Sequence, residues 1–214
     1  MLVKERMSRQ PILAAPDLPI SEALNQMKRE HIRRMPVVDQ HGKLVGIVSD
    51  KDLLQASPSP ATSLSVWEIT YLLSKLTVAQ VMTKQVITVT EDTPLEDAAR
   101  IMADNKIGGL PVMRADKIVG IITETDLFKI FLELLGAREK GMRLTLLVPE
   151  QLGELAKITQ AIAMNGGNII ALVQFQGTDA TNRQVMLKVA GLTQDKLLEI
   201  LKPLVTTIED AREV

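Results

Sequence analysis

Gly46-Ile-Val-Ser49-Asp-Lys-Asp52 and Gly120-Ile-Ile-Thr123-Glu-Thr-Asp126 are two versions of one pattern. Each closes an apolar run on a hydroxyl residue and sets a carboxylate three residues later. Working outward from them, residues 3–55 align with the stretch that begins at Val78, with 17 identities and a single one-residue gap. The identities include Met7/Met82, Ile12/Ile87, Pro19/Pro94, Ala23/Ala98, Met27/Met102, Pro36/Pro111, Val37/Val112, Gly46/Gly120 and Asp52/Asp126. A tandem repeat whose matches fall on Pro, Gly and Asp implies two copies of one supersecondary unit packed together.

Each copy reads as β-α-β-β-α. A short extended run, Pro11–Ala14 or Val86–Val89, leads into a helix. In the second copy, Thr93 as N-cap, Pro94 at the first helical position and Glu96 at N3 predict a capping box. The first copy has Leu18 at the cap position and a weaker start. Helical spacing joins Ile20, Ala23, Leu24 and Met27, and in parallel Leu95, Ala98, Ala99 and Met102. Strands follow at Met35–Val38 or Leu110–Met113 and at Leu44–Val48 or Ile118–Ile122, with tight turns at Gln40–Gly42 and Ala115-Asp116. A helix then opens near Asp52 or Asp126. The strands are continuously apolar, which predicts sheets covered by helices. Between the copies, residues 56–77 form a linker. Its breaker-rich start precedes a short amphipathic helix, Trp67–Leu76, on which Trp67 and Tyr71 are placed to staple the linker down.

Composition narrows the function. The chain is 46% hydrophobic but only 2% aromatic, which argues against a base-stacking platform for single-stranded nucleic acid. A net charge of −1 supplies no general attraction to DNA or membranes. With no cysteine there is no disulfide, thiolate zinc site or thiol nucleophile. His31 and His41 are the only histidines, without the neighbours a metal site needs. No Walker loop, GxGxxG or nucleophile–base set is present, so the chain reads as non-catalytic, with no catalytic cofactor. No apolar run approaches a membrane span, and the N-terminus lacks a signal sequence; a soluble cytoplasmic protein is expected.

The Met-Ser/Thr start, the Pro-Val strand and the Gly-Ile-Val/Ile-Ser/Thr-x-x-Asp ending resemble CBS domains, which work in pairs as a Bateman module. The resemblance implies an adenosine-containing regulatory ligand: AMP, ADP, ATP or S-adenosylmethionine. Asp52 and Asp126 would accept hydrogen bonds from the ribose diol, and Ser49 and Thr123 would meet a phosphate or ribose oxygen. Lys51 and Thr125, inside the same motif, are counted with them. The plainer alternative is that both Asp residues only cap helices. Ile32 and Ile107, helped by Ile12 and Ile87, would wall the adenine. The copies differ after that Ile: Arg33-Arg34 in one, Gly108-Gly109 in the other. Two unequal sites are therefore expected, with the first copy the more selective for phosphate.

After a charged linker at 136–141 the pattern changes. Strand Arg143–Val148, helix Leu152–Asn165 closed by Gly166-Gly167, strand Asn168–Gln176, a strand through Val185, Leu187 and Val189, helix Leu192–Leu201 and strand Leu204–Ile208 make βαββαβ, a ferredoxin-like unit. Val148–Ile158 and Asn165–Ile169 resemble an ACT domain. That resemblance implies dimerisation and an amino-acid site at Glu150, Leu152, Gly153 and Asn168, although the proline usual before that glycine is replaced by Leu152. The whole is thus α+β: CBS repeats at 1–55 and 78–135, and an ACT domain at 142–214. The order is similar to the acetoin-utilization protein B group, which implies a regulator in acetoin or carbon metabolism. The expected partners are an adenosine ligand, an amino-acid ligand, a second copy in a homodimer or larger assembly and an unknown regulated protein, with no direct nucleic acid and no membrane. The competing reading is a structural adaptor with vestigial pockets.

Overall fold

In a computed structural model of the chain, residues 1–56 and 75–214 are described. Trp67 and Tyr71, expected to staple the linker down, lie outside them, as does nearly all of the expected helix Trp67–Leu76. The chain divides into two units, Met1–Leu127 and Phe128–Val214.

In the first unit a 3-10 turn at Val3–Glu5 precedes β1 (Ser8–Arg9), α1 (Ile20–Arg29), β2 (Arg34–Val38), β3 (Leu44–Ser49) and α2 (Asp50–Gln55). The second copy supplies α3 (Val78–Val81), β4 (Val89–Thr90), α4 (Leu95–Asn105), β5 (Gly109–Arg114), β6 (Lys117–Thr123) and α5 (Glu124–Leu134). The boundary between units falls within α5. Helical spacing buries Ile20, Ala23 and Met27 on α1, and Leu95, Ala98 and Met102 on α4. Met35, Val37 and Val48 in the first copy, and Leu110, Val112 and Ile122 in the second, are fully buried beneath them.

The two sheets exchange their edges. β1, from the first copy, pairs antiparallel with β6 of the second, Ser8 opposite Ile121. Reciprocally, Thr83, from the opening of the second copy, bridges Ile47 in β3. Backbone hydrogen bonds anchor both exchanges: Val3 N–H to Thr93 O (2.9 Å) and Val78 N–H to Leu18 O (2.9 Å). The repeated glycines now have a reason. A Cβ at Gly46 would stand 2.3 Å from Met82 Sδ, and one at Gly120 would stand 2.5 Å from Met7 Sδ. The Met7/Met82 and Gly46/Gly120 identities are therefore two halves of one reciprocal contact, each methionine resting on the other copy's glycine.

Helix starts differ from expectation. α4 is capped by Pro94, with no side-chain bond from Thr93. The Thr93 hydroxyl instead accepts the Thr90 N–H at 3.1 Å, closing the turn after β4. The first copy matches it, with Pro19 as the N-cap of α1.

The second unit contains β7 (Met142–Pro149), α6 (Glu154–Met164), β8 (Asn168–Gln176), β9 (Asn182–Ala190), α7 (Gln194–Leu201) and β10 (Thr207–Glu213). Its antiparallel sheet has the order β10-β7-β9-β8. This is the βαββαβ, ferredoxin-like order read from the sequence. Leu144, Leu146 and Val148 of β7 and Val185, Leu187 and Val189 of β9 share one face with Ile158, Ile162, Leu197 and Leu201 of the helices. Lys188, alternating to the other face, is buried and donates from Nζ to Gly136 O at 2.9 Å.

Three boundaries move. α6 starts at Glu154, after Gly153 (φ 87°) as N-cap, which leaves Leu152 fully exposed. α7 starts at Gln194, because the Thr193 hydroxyl accepts Lys196 N–H. The last strand begins at Thr207 instead of Leu204, because Lys202-Pro203-Leu204 continues the helix as a 3-10 turn compatible with proline's fixed φ. The charged run Thr207–Glu213 then pairs as an edge strand, where exposed charges are usual.

Candidate ligand-binding pockets

The signature motifs build two similar helix starts. Ser49 is the N-cap of α2; its hydroxyl accepts Asp52 N–H at 3.2 Å. In return Asp52 Oδ2 accepts from the Ser49 N–H (2.8 Å) and hydroxyl (2.7 Å). At α5 Asp126 Oδ2 likewise accepts the Thr123 N–H (3.0 Å) and hydroxyl (2.8 Å). Asp52 thus sits at the third position of a capping box instead of being the N-cap itself, and Asp126 holds the matching place three residues after Thr123. Ser49 and Thr123 give their hydroxyl protons to the carboxylates. Every hydrogen bond that Ser49 gives to Asp52 falls on Oδ2, and Asp52 lines the adjoining pocket.

Two pockets adjoin these helix starts. The first, about 410 Å³, contains Ser49, Asp50, Lys51 and Asp52 of the first copy, and Gln85, Ile87, Lys106, Ile107 and Gly108 of the second. The second, about 340 Å³, contains Thr123, Thr125 and Asp126 of the second copy, and Arg9, Ile12, His31 and Ile32 of the first. Both volumes lie in the range of small-molecule sites. All of the residues expected to hold nucleotide line one pocket or the other. Their grouping, however, is not by copy. Each acidic box faces the isoleucines of the other copy, because the exchanged edges bring Ser8–Pro11 beside Thr123–Asp126, and Thr83–Ile87 beside Ser49–Asp52.

Arg33 and Arg34 line both pockets. The expected assignment of the arginine pair to a site of the first copy is thereby corrected: the pair lies between two sites. Arg33 Nη2 donates to Thr125 Oγ1 at 3.2 Å. Arg34 Nη2 stands 3.8 Å from Glu124 Oε2. Sequence reasoning missed Arg9, Gln85, Lys106 and Glu124. Arg9 and Gln85 follow the repeated Met-Ser/Thr start, so their signal was the repeat itself, read across copies. Glu124 is the counterpart of Asp50, and nothing local marked its reach to Arg34.

In the second unit, Glu150 pairs with Arg183, and Gly153 caps α6. Asn168 does not join them within one chain. Pro149 pairs with Asn182 at one end of β9, whereas Asn168 pairs with Ala190 at the other. That is about 27 Å along an antiparallel strand. Among the described residues no group of three or more His, Cys, Asp or Glu side chains could hold a metal ion, and no helix is long and apolar enough to cross a membrane.

Known proteins share the paired-repeat geometry. The CBS domain pair of protein MJ0100, solved with 5′-methylthioadenosine and S-adenosyl-L-methionine, is 33% identical with a TM-score of 0.52, covering 65% of this chain and 98% of that one. A Vibrio cholerae protein named for acetoin utilization (AcuB) is 33% identical with a TM-score of 0.53, over 64% of this chain and 95% of its own. CBSX2 in complex with AMP is 30% identical with a TM-score of 0.51, over 61% and 96%. Among curated sequences, the L-aspartate semialdehyde sulfurtransferase of Methanocaldococcus jannaschii is 34% identical across 61% of this chain, which spans only 23% of that enzyme. The CBS domain family model matches residues 3–59 and 78–133, the two copies read from the repeat and together just over half of the chain, and the protein belongs to the CBS domain family.

Proposed function

We propose that the chain is a non-catalytic regulatory sensor whose paired repeats bind an adenosine-containing ligand. One observation carries this reading: each pocket is walled by both copies and holds one acidic box. A ligand there touches both halves at once. If it prefers one arrangement of the halves, it shifts their equilibrium by the difference in affinity. The box offers carboxylate oxygen to a ribose diol, the isoleucines offer an apolar wall to a purine, and Arg33 and Arg34 offer charge to a phosphate. The complexes of MJ0100 and CBSX2 with adenosine compounds support the ligand class.

We assign the sensor to acetoin or carbon metabolism in a cytoplasmic setting, supported by the likeness to the Vibrio cholerae protein. We take residues 1–55 and 78–135 as CBS repeats and 142–214 as an ACT domain, supported by its βαββαβ order. In this reading the ACT domain serves dimerisation or amino-acid sensing. A site using both Gly153 and Asn168 would need two chains, given their separation along the sheet. Exposed Phe128, Phe131 and Leu134 on α5 support a homodimer or larger assembly.

The test is thermal unfolding with adenosine, AMP, ADP, ATP and S-adenosylmethionine. A ligand at about 100 times its Kd stabilises by about 2.7 kcal/mol. The expected result is a shift with at least one ligand, reduced by Asp52→Ala or Asp126→Ala. Absence of any shift, with a stable dimer, favours a structural adaptor whose acidic boxes only cap helices.

A further inference from the structure

Arg34 belongs to the first copy, yet its guanidinium is held by the second. A Cβ built on Gly108 would lie 1.9 Å from Arg34 Nη2 and 2.5 Å from Glu124 Oε2. The space that a side chain would fill at position 108 is therefore occupied by an ion pair. Arg34 is 22% exposed and Glu124 51% exposed, so the arginine sits in the pocket wall with the carboxylate on its solvent side. The Glu124 backbone is fixed as well, its N–H bonded to Gly108 O at 3.1 Å. Arg33, beside it, donates to the neutral hydroxyl of Thr125.

The two arginines thus differ in what already holds them. A ligand phosphate near Arg33 competes with a hydroxyl. Near Arg34 it competes with a carboxylate for the guanidinium. The cost falls on anionic ligands alone, because an uncharged adenosine has no claim on the guanidinium.

We propose that Glu124 sets the charge preference of the pocket that Arg34 enters from beside Gly108, holding down its affinity for phosphate-bearing ligands relative to uncharged adenosine compounds. Glu124 is a specificity residue acting through Arg34 and is not itself among the pocket-lining residues. The inference rests on the adenosine-sensor reading and adds the residue that tunes its selectivity.

Titration calorimetry with adenosine and with AMP tests it, since the two differ only by the phosphate. In Glu124→Gln the AMP-to-adenosine affinity ratio should rise about fivefold, the upper end of what a partly exposed ion pair is worth. In Arg34→Gln the same Glu124→Gln change should leave the ratio flat, because the competition has been removed. If adenosine binds but the ratio is unchanged or falls in Glu124→Gln, the proposal is overturned while the sensor reading stands. A fall would mean that Glu124 merely orients Arg34 for phosphate. If neither adenosine nor AMP binds to wild type, the sensor reading itself fails and the proposal with it.

Discussion

The two copies agree at the glycines, the methionines and the acidic boxes, and part at the two residues that follow a shared isoleucine in the pocket walls. Gly46 and Gly120, Met82 and Met7, and the boxes of Ser49–Asp52 and Thr123–Asp126 are the same parts in the same places. At the residues after the shared Ile the copies diverge, to Arg33-Arg34 in one and Gly108-Gly109 in the other. The divergence is coupled: Arg34 fits where it does because position 108 has no side chain. Duplication kept the frame that makes the halves interlock. Chemical asymmetry entered at the seam between them, where one change is felt in both pockets.

Replacing matched core residues tests the interlock most severely. Met35 and Leu110 are repeat equivalents, both fully buried. Met35→Ala and Leu110→Ala should each cost about 2–5 kcal/mol in urea unfolding. Because each copy holds the other's opening segment, either variant should loosen both copies together, read by hydrogen exchange at amides of each. Protection lost in only the substituted copy would break the picture of an interlocked pair.

Removing the carboxylates sharpens the comparison of pockets. Asp52→Ala should weaken adenosine binding in the first pocket by about 1.5–3 kcal/mol, the worth of a charge-assisted bond, and leave the second pocket near its original affinity. Asp126→Ala should do the reverse. Calorimetry that resolves two sites checks this, and equal loss at both sites in each variant would contradict separate pockets.

The glycines should not be equal either. The atoms a Cβ would meet at Gly46 all belong to the Met82 side chain, which can move. At Gly120 it would also come within 3.0 Å of the Ser8 backbone carbonyl. Gly120→Ala should therefore cost about 1–3 kcal/mol of unfolding free energy, and Gly46→Ala should be cheaper. The opposite order would mean that Met82 is the more tightly held of the two methionines.

The smallest effect lies outside the repeats. The Arg212 guanidinium beside Asp210, with a further pull from Arg143, holds the Asp210 carboxyl below its ordinary value. A depressed folded-state pKa gives stability that is present above the unfolded value and lost as pH falls through the folded one. Asp210→Asn should lower the urea midpoint slightly near neutrality, and the gap from wild type should close in acid. A gap that persists in acid would mean that Asp210 acts by packing instead of charge.

Much of this was legible in sequence because it is local. Period and punctuation located α1, α4 and the apolar strands, and the hydroxyl-x-x-carboxylate spacing located the boxes, since a helix start satisfies its own amides within four residues. One weaker reading failed locally, where Thr93 closes a turn with Thr90 instead of capping α4. Another failed where neighbours distant in sequence decide: charged Thr207–Glu213 becomes a strand only because the edge of β7 offers it partners.

The sequence by itself determined the repeat, the βαββαβ tail and the hydroxyl and carboxylate residues at the two helix starts, because those follow from short-range geometry and burial. Only the tertiary structure decided which residues share a pocket. The exchange of β1 and Thr83 between the copies puts Asp52 opposite Ile107, Asp126 opposite Ile32, and Arg34 against Glu124. In the second unit, the register of β7 and β8 on β9 puts Asn168 at the opposite end of the sheet from Pro149 and the loop to Gly153. Such pairings depend on how two folded surfaces dock, a property that no run of neighbouring residues carries alone.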